Sequence, residues 1–358
     1  MARSSVAIGV IILLVILMSL LSYLPAPGYE IKYPSYFGDR IFIPADNPTT
    51  EAGVKLGRML FYETSLSKSN TISCATCHQQ QLSFTDGKKF STGVDGTMQK
   101  RNTMSLANLL WVRNFFWDGR AAGLEEQAKT PLTDPHEMGQ SLQISAKKLR
   151  KKQAYPSLFK KAFNSDTIKE AMIVKALAQF QRTLVSAESR YDKYLRGEYK
   201  PTVSELNGIA LFYAAPDPIK GMRGADCAHC HGGPKTYTEL FQNNGLDSIP
   251  SDRGRELFTG NDFDRGRFRV ATLRNIALTA PYMHDGRFNT LEEVVDHYNE
   301  HVSNNILTSP FLRNRSNELN GKQLGLTNNE KKDILAFLHM LTDSSFISNK
   351  NFSNPFSK

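Results

Sequence analysis

The chain has 358 residues, of which 40% are hydrophobic and 22% charged. That balance fits a globular protein long enough for two domains and excludes a disordered polymer. The formal charge is +9, but the one dense basic patch, "KKLRKK" at 147–152, has no interleaved aromatics and no nucleic-acid module around it, so it reads as a solvated helix face and nucleic acid is excluded as a partner.

The first feature along the chain is "VAIGVIILLVILMSLLSYL" at 6–24, apolar and uncharged. Its length approaches the roughly 20 residues that span a bilayer as a helix. It exceeds a usual signal-peptide core and lacks an Ala-x-Ala site, which favours an uncleaved anchor over a cleaved signal peptide. Either reading exports the chain beyond residue 28. With the basic flank inside, the rest of the chain faces the periplasm, tethered to the inner membrane.

The next feature is "SCATCH", and its core recurs as "DCAHCH". The four cysteines of the chain, Cys74, Cys77, Cys227 and Cys230, all fall in these two motifs. An even count in an exported chain suggests disulfides, and Cys-x-x-Cys also serves redox pairs and zinc sites. The histidine directly after each pair, His78 and His231, separates these readings. Cys-x-x-Cys-His is the attachment motif of c-type haem: two thiols add to the vinyl groups and the imidazole ligates the iron. Two motifs that use every cysteine predict two covalently bound haem c groups.

Self-similarity extends beyond the cysteines. "GRMLFYE" (57–63) matches "GIALFYA" (208–214). "RNTMSLANL" matches "VATLRNIAL", and "WDGRAAGLEEQA" matches "HDGRFNTLEEVV". "IVKALAQFQRTLVS" resembles "KKDILAFLHMLTD", both apolar at helical spacing. The expected fold is mainly α, with two cytochrome c-like helical domains and one haem in each. After the 1–28 segment, an N-terminal haem domain spans 29–200 and a C-terminal haem domain 201–358. The boundary falls near "LRGEYKPTVSE".

Distal groups decide whether a haem carries electrons or does chemistry on a small molecule. None of the eight histidines lies between His78 and His136. Met98 is the one thioether in the loop after the first motif, and a lone Met in a Gly-rich loop is more often incidental. The first haem is therefore expected to be open. In "TPLTDPHEMGQS", Glu137 has the chemistry to take a proton from peroxide and return it to the departing oxygen. A loop Glu is more often a surface residue, and His136 beside it has the same chemistry.

These motifs, with "KRNTMSLAN", "FFWDGRAAGLEEQA", "DPHEMG" and "TLRNIALTAPYMHDGRFNTLEEVVDHYN", resemble the bacterial di-haem cytochrome c peroxidase family, including its MauG-type branch, from about residue 53 to 341. The resemblance implies that His78 and His231 are the proximal ligands of the peroxide-reacting and electron-transfer haems. It implies that Glu137 is the acid–base catalyst and that Trp117 carries electrons or holes between the haems. It places one calcium ion on the Asn102 side chain and the carbonyls of Thr279 and Pro281, and sets His284 against a haem propionate. Members often form dimers, which implies a homodimer here, although the sequence carries no interface signal.

Two departures stand out. Many members have a histidine in the loop after the first haem motif; here it reads "STGVDGT". The same members place a Met on the second iron where this chain has Tyr298, as MauG-type enzymes do. Phenolate is an anionic donor that stabilises oxidised iron. Met283, His297 and His301 compete for that position, and a buried, hydrogen-bonded helix Tyr is the plain alternative.

The function expected is a cytochrome c peroxidase that reduces hydrogen peroxide with electrons from a small periplasmic cytochrome c or cupredoxin. The alternatives are a MauG-like oxidase that modifies a partner protein, and a non-enzymatic di-haem electron carrier or sensor.

Overall fold

The computed structural model describes residues 27–313 and 315–357. The apolar stretch at 6–24, and the anchor expected there, lie outside the described residues. Among the described residues no helix is long and apolar enough to cross a membrane.

The fold is mainly helical. The helices are α1 (Glu51–Phe61), α2 (Cys74–Cys77), α3 (Leu124–Thr133), α4 (Leu142–Arg150), α5 (Ala154–Phe163), α6 (Glu170–Arg182) and α7 (Arg190–Leu195). They continue as α8 (Val203–Tyr213), α9 (Ala228–His231), α10 (Glu256–Thr259), α11 (Leu291–Asp296), α12 (Asn328–Met340) and α13 (Ser344–Ser348). A small antiparallel sheet joins β1 (Phe241–Gln242) to β2 (Phe268–Arg269), with Phe241 opposite Arg269.

Two helix pairs organise the molecule: α1 packs on α6, and α8 packs on α12. Three of these four helices start where the sequence supplies a side-chain cap. Thr50 accepts from the Gly53 N–H at 3.1 Å. Thr202 and Glu205 form a reciprocal capping box, as do Thr327 and Glu330, which satisfies N–H groups that a helix start leaves unpaired. Along α6, Ile173, Leu177 and Phe180 recur on one face and are buried; Ile334, Phe337 and Leu338 do the same along α12.

The repeat seen in the sequence is a repeat in space. Both pairs cross at a glycine where the backbones touch. A Cβ on Gly57 would lie 1.9 Å from the Ala176 carbonyl oxygen, and one on Gly208 would lie 1.9 Å from that of Asp333. Asn108 and Asn275 both adopt φ +61°, and Phe116 and Met283 are both left-handed. The Asn108 N–H donates to the Leu184 carbonyl at 2.8 Å and the Asn275 N–H to that of Leu341 at 2.9 Å.

The two halves also exchange bonds reciprocally. The Asn102 N–H donates to the His284 carbonyl and the Arg269 N–H to the Trp117 carbonyl, both at 2.7 Å. Asn102 and Arg269 are repeat partners, as are Trp117 and His284, so the seam has an internal two-fold character.

The cores do not follow chain order throughout. Tyr191, ahead of residue 201, packs into the second core. Phe346 and Phe352, near the chain's end, pack into the first. The Tyr62 hydroxyl donates to the Phe352 carbonyl at 2.7 Å, and Gln80 Nε2 donates to the carbonyl of Asn349 at 2.9 Å. The last part of the chain therefore closes over the first haem motif.

Candidate functional site

Cys74 and Cys77 bracket the single turn of α2, and His78 caps it, its N–H donating to the Cys74 carbonyl at 2.9 Å. The chain then reverses through Ser83 and Phe84, both left-handed. That reversal brings the Phe84 carbonyl to 2.7 Å from His78 Nδ1. Phe84 itself is fully buried, edge-on to Phe61 and Phe346, so the acceptor is held firmly. A ligating imidazole typically donates its far N–H in this way, which fixes the tautomer and leaves Nε2 for the metal. His231 repeats the arrangement, with Nδ1 3.3 Å from the Thr236 carbonyl. Burial keeps both imidazoles neutral: His78 is shifted below its ordinary value, and His231 falls to about 4.

All four cysteines are free thiols, so the disulfide reading fails. Burial pushes Cys74 and Cys227 up to about 12 and Cys230 up to about 11. A cavity of about 280 Å³ is lined by Cys227, Cys230, His231, Met283, Tyr298 and Arg269. At the second motif, paired thiols, an oriented neutral imidazole and a cavity beside them fit a covalently attached haem.

Glu137 sits in the loop after α3. Asp134 shapes that loop: its carbonyl accepts from the N–H groups of Glu137 at 3.1 Å and Gly139 at 2.9 Å. The loop is locked onto residues 93–99. The Val94 N–H donates to the Glu137 carbonyl at 2.7 Å, and Gln99 Nε2 donates to that of His136 at 2.7 Å. Gly93 is required at this contact, because a Cβ there would lie 1.7 Å from the His136 oxygen. The Glu137 side chain is half-buried, and its charge is felt at both Cys74 and Cys77. Burial chiefly, with Asp134 adding repulsion, raises its carboxyl to about 7 against the opposing pull of Arg120. His136 is turned outward, Nδ1 2.8 Å from Asp95 Oδ2, with 61% of its side chain exposed. Met98 is 65% exposed.

Trp117 lies on the seam. Its Nε1 donates to the Asn102 carbonyl at 2.8 Å. It lines both the cavity over His231 and a second cavity between the halves. Asn102, Thr279 and Pro281 line that second cavity together. Asn102 Nδ2 donates to the Lys88 carbonyl at 2.9 Å, which leaves Oδ1 as its acceptor end. His284 stacks on Phe268 at 3.7 Å.

Tyr298 belongs to a π-helical turn, His297–His301, that continues α11. Such turns concentrate at functional sites. Asn244 Nδ2 reaches both the Tyr298 hydroxyl and Met283 Sδ at 3.4 Å, so the two rival ligands converge on one amide. Burial pushes the Tyr298 phenol up to about 12. The other rivals are turned elsewhere. His297 Nε2 is 3.0 Å from the Asn244 carbonyl, and His301 is exposed, with Nδ1 3.2 Å from the Asp296 carbonyl. Sequence reasoning missed Asn244 and Arg269. Arg269 had a signal, in that it stands as far ahead of His284 as Asn102 stands ahead of Trp117; Asn244 had none.

Known proteins match this arrangement. The di-haem cytochrome c peroxidase family matches residues 51–200. The methylamine utilization protein MauG of Methylorubrum extorquens is 35% identical over 302 residues, covering 83% of this chain and 80% of that one. Cytochrome c551 peroxidase of Nitrosomonas europaea is 38% identical over 259 residues, covering 71% and 75%. The crystal structure of a MauG-like protein associated with microbial copper homeostasis has a TM-score of 0.83 at 36% identity, covering 92% of this chain and 100% of that one. The chain belongs to the di-haem cytochrome c peroxidase family.

Proposed function

We propose that this chain is a periplasmic peroxidase. It reduces hydrogen peroxide to two waters with two protons and two electrons, the electrons arriving singly from a small cytochrome c or cupredoxin. The observation that carries this reading is Glu137, a half-buried carboxyl raised to about 7 whose charge reaches both thiols of the first haem motif. A general acid–base group works best when its pKa lies near the operating pH.

Two haems, attached at Cys74/Cys77 and Cys227/Cys230 and ligated by His78 and His231, would supply the redox chemistry. Glu137 takes the proton from one peroxide oxygen and delivers it to the other, so that the O–O bond breaks with water as the leaving group. The locked 93–99 loop keeps that carboxyl in place. Trp117, on the seam, couples the two haem sites. Tyr298, together with His231, would hold the second iron. The Asn102 Oδ1 and the carbonyls of Thr279 and Pro281 are hard oxygen donors suited to one calcium ion. The 6–24 segment tethers the 29–200 and 201–358 haem domains to the inner membrane, and the protein pairs as a homodimer.

A second reading is a MauG-like oxidase that passes the oxidising equivalents to a partner protein. Tyr298 favours it, as do relatives named methylamine utilization protein MauG. A non-enzymatic carrier has less support, because it gives the raised Glu137 no task.

The test of the two-haem reading is a Cys74→Ala/Cys77→Ala variant examined by mass spectrometry. One covalent haem, on Cys227/Cys230, is expected. Two intact covalent haems would overturn the assignment. Oxidation of an added cytochrome c by peroxide then separates the peroxidase from the other readings.

A further inference from the structure

Among the described residues the fold buries three guanidinium groups and gives two of them a carboxylate. Arg274, with no exposed side-chain surface, pairs with Asp192; Arg182, 2% exposed, pairs with Glu125. Arg269 is the exception. It is 9% exposed, and among the described residues it makes no ion pair. One of its terminal nitrogens reaches Met104 Sδ at 3.5 Å, a weak acceptor. Its Nε is buried and has no partner. The carboxylate whose field it feels, Glu239, is exposed and accepts instead from the Arg113 N–H at 3.2 Å.

Arginine does not shed its proton to escape burial. An uncompensated buried charge is strongly disfavoured, so this site calls for an anion that the described residues do not provide. Arg269 lines the same cavity as Cys227, Cys230 and His231, and also the cavity on the seam. A haem carries two propionate carboxylates. Arg313, whose Nε also lacks a partner, lines the first cavity too, but it is only half-buried and its need for an anion is smaller.

We propose that Arg269 is a positioning residue whose guanidinium pairs with a propionate of the haem attached at Cys227 and Cys230. This rests on the two-haem reading above. The backbone of Arg269 is bonded to the Trp117 carbonyl at 2.7 Å, so the same residue ties the haem edge to the residue between the two sites. A fixed positive charge beside the haem favours the reduced, less positive iron and raises its potential. It also keeps the propionate ionised.

The experiment uses the full-length holoprotein. Peptide mass spectrometry first counts haem on Cys227/Cys230 in wild type, Arg269→Gln and Arg269→Lys. Absence of that haem in wild type refutes the two-haem reading rather than this pairing. Redox titration comes next. Arg269→Gln should shift the reduction equilibrium of the second haem about tenfold toward the oxidised form, roughly 59 mV for one electron, with Arg269→Lys near wild type. An unchanged midpoint in Arg269→Gln with both haems attached overturns the pairing. Should the variants not accumulate, a crystal structure of the native holoprotein decides. The guanidinium should lie within about 4 Å of a propionate oxygen, and a larger separation overturns the proposal.

Discussion

Gly57 on α1 meets Ala176 on α6 backbone to backbone, and a Cβ at Gly57 would stand 1.9 Å from the Ala176 carbonyl oxygen. Neither helix backbone can retreat without repacking Phe180, which is fully buried beside the crossing. Gly57→Ala should therefore destabilise the first half by about 1–3 kcal/mol or more, the range for overpacking. Gly28→Ala, with nothing within 4 Å of the added Cβ, should be nearly neutral. Thermal melts of the two variants check this. Equal melting temperatures would mean that the helices slide apart at little cost.

Glu137→Gln should keep both haem spectra and slow the reaction with peroxide by roughly 10²–10⁴, the range for a lost acid–base group. The pH dependence has a definite sign. The carboxyl accepts the first proton, so it must be ionised, and its value is raised to about 7. The rate constant should climb with pH up to about 7 and then level off, and that rise should be absent in Glu137→Gln. A wild-type rate constant in the variant would remove Glu137 from the mechanism.

The paired thiols and the oriented imidazoles of the candidate haem sites were legible because haem attachment needs two thiols and an imidazole at one fixed spacing. The helix pairs were legible because Phe180 and Phe337 recur at equivalent places in a period-3.6 pattern. The tail was not legible. Phe346 and Phe352 lie in a polar, aperiodic stretch, and what buries them is the distant cluster around Phe84. Arg269 was hidden for a different reason. In "RGRFRV" it is one of three alternating arginines that read as surface charge, and only the β2 pairing turns this one inward. Glu137 was visible as a candidate, but its raised pKa comes from burial, with repulsion from Asp134 added, and spacing does not encode that burial.

Tyr298→Phe tests the second iron. Phenolate stabilises oxidised iron, so its loss should raise the midpoint potential of that haem. Met283 Sδ shares the Asn244 amide with the Tyr298 hydroxyl and is placed to take over, which a thioether-to-iron absorption band would report. Redox titration and near-infrared spectra of the variant supply both readings. An unaltered potential and spectrum would leave Tyr298 as a buried, hydrogen-bonded tyrosine and no more.

The fully oxidised protein should react with peroxide at once, without prior reduction of either haem. No histidine stands between His78 and His136, so the loop around Val94 has no imidazole with which to close the first iron. The two remaining suspects face away. Met98 is 65% exposed, and His136 is exposed and bound to Asp95 at 2.8 Å. Asp95 is held near 2, first by the Thr97 N–H and then by His136, so it stays ionised as a partner for that ring. The loop is also not free to swing inward, because Gly93 and Val94 are locked against His136 and Glu137. Stopped-flow mixing of the oxidised holoprotein with peroxide is the measurement, and a spectral change within the first mixing traces is expected. If nothing happens until one haem has been reduced, a side chain reaches the first iron after a rearrangement. His136→Ala and Met98→Ala, each tested without pre-reduction, would then identify which.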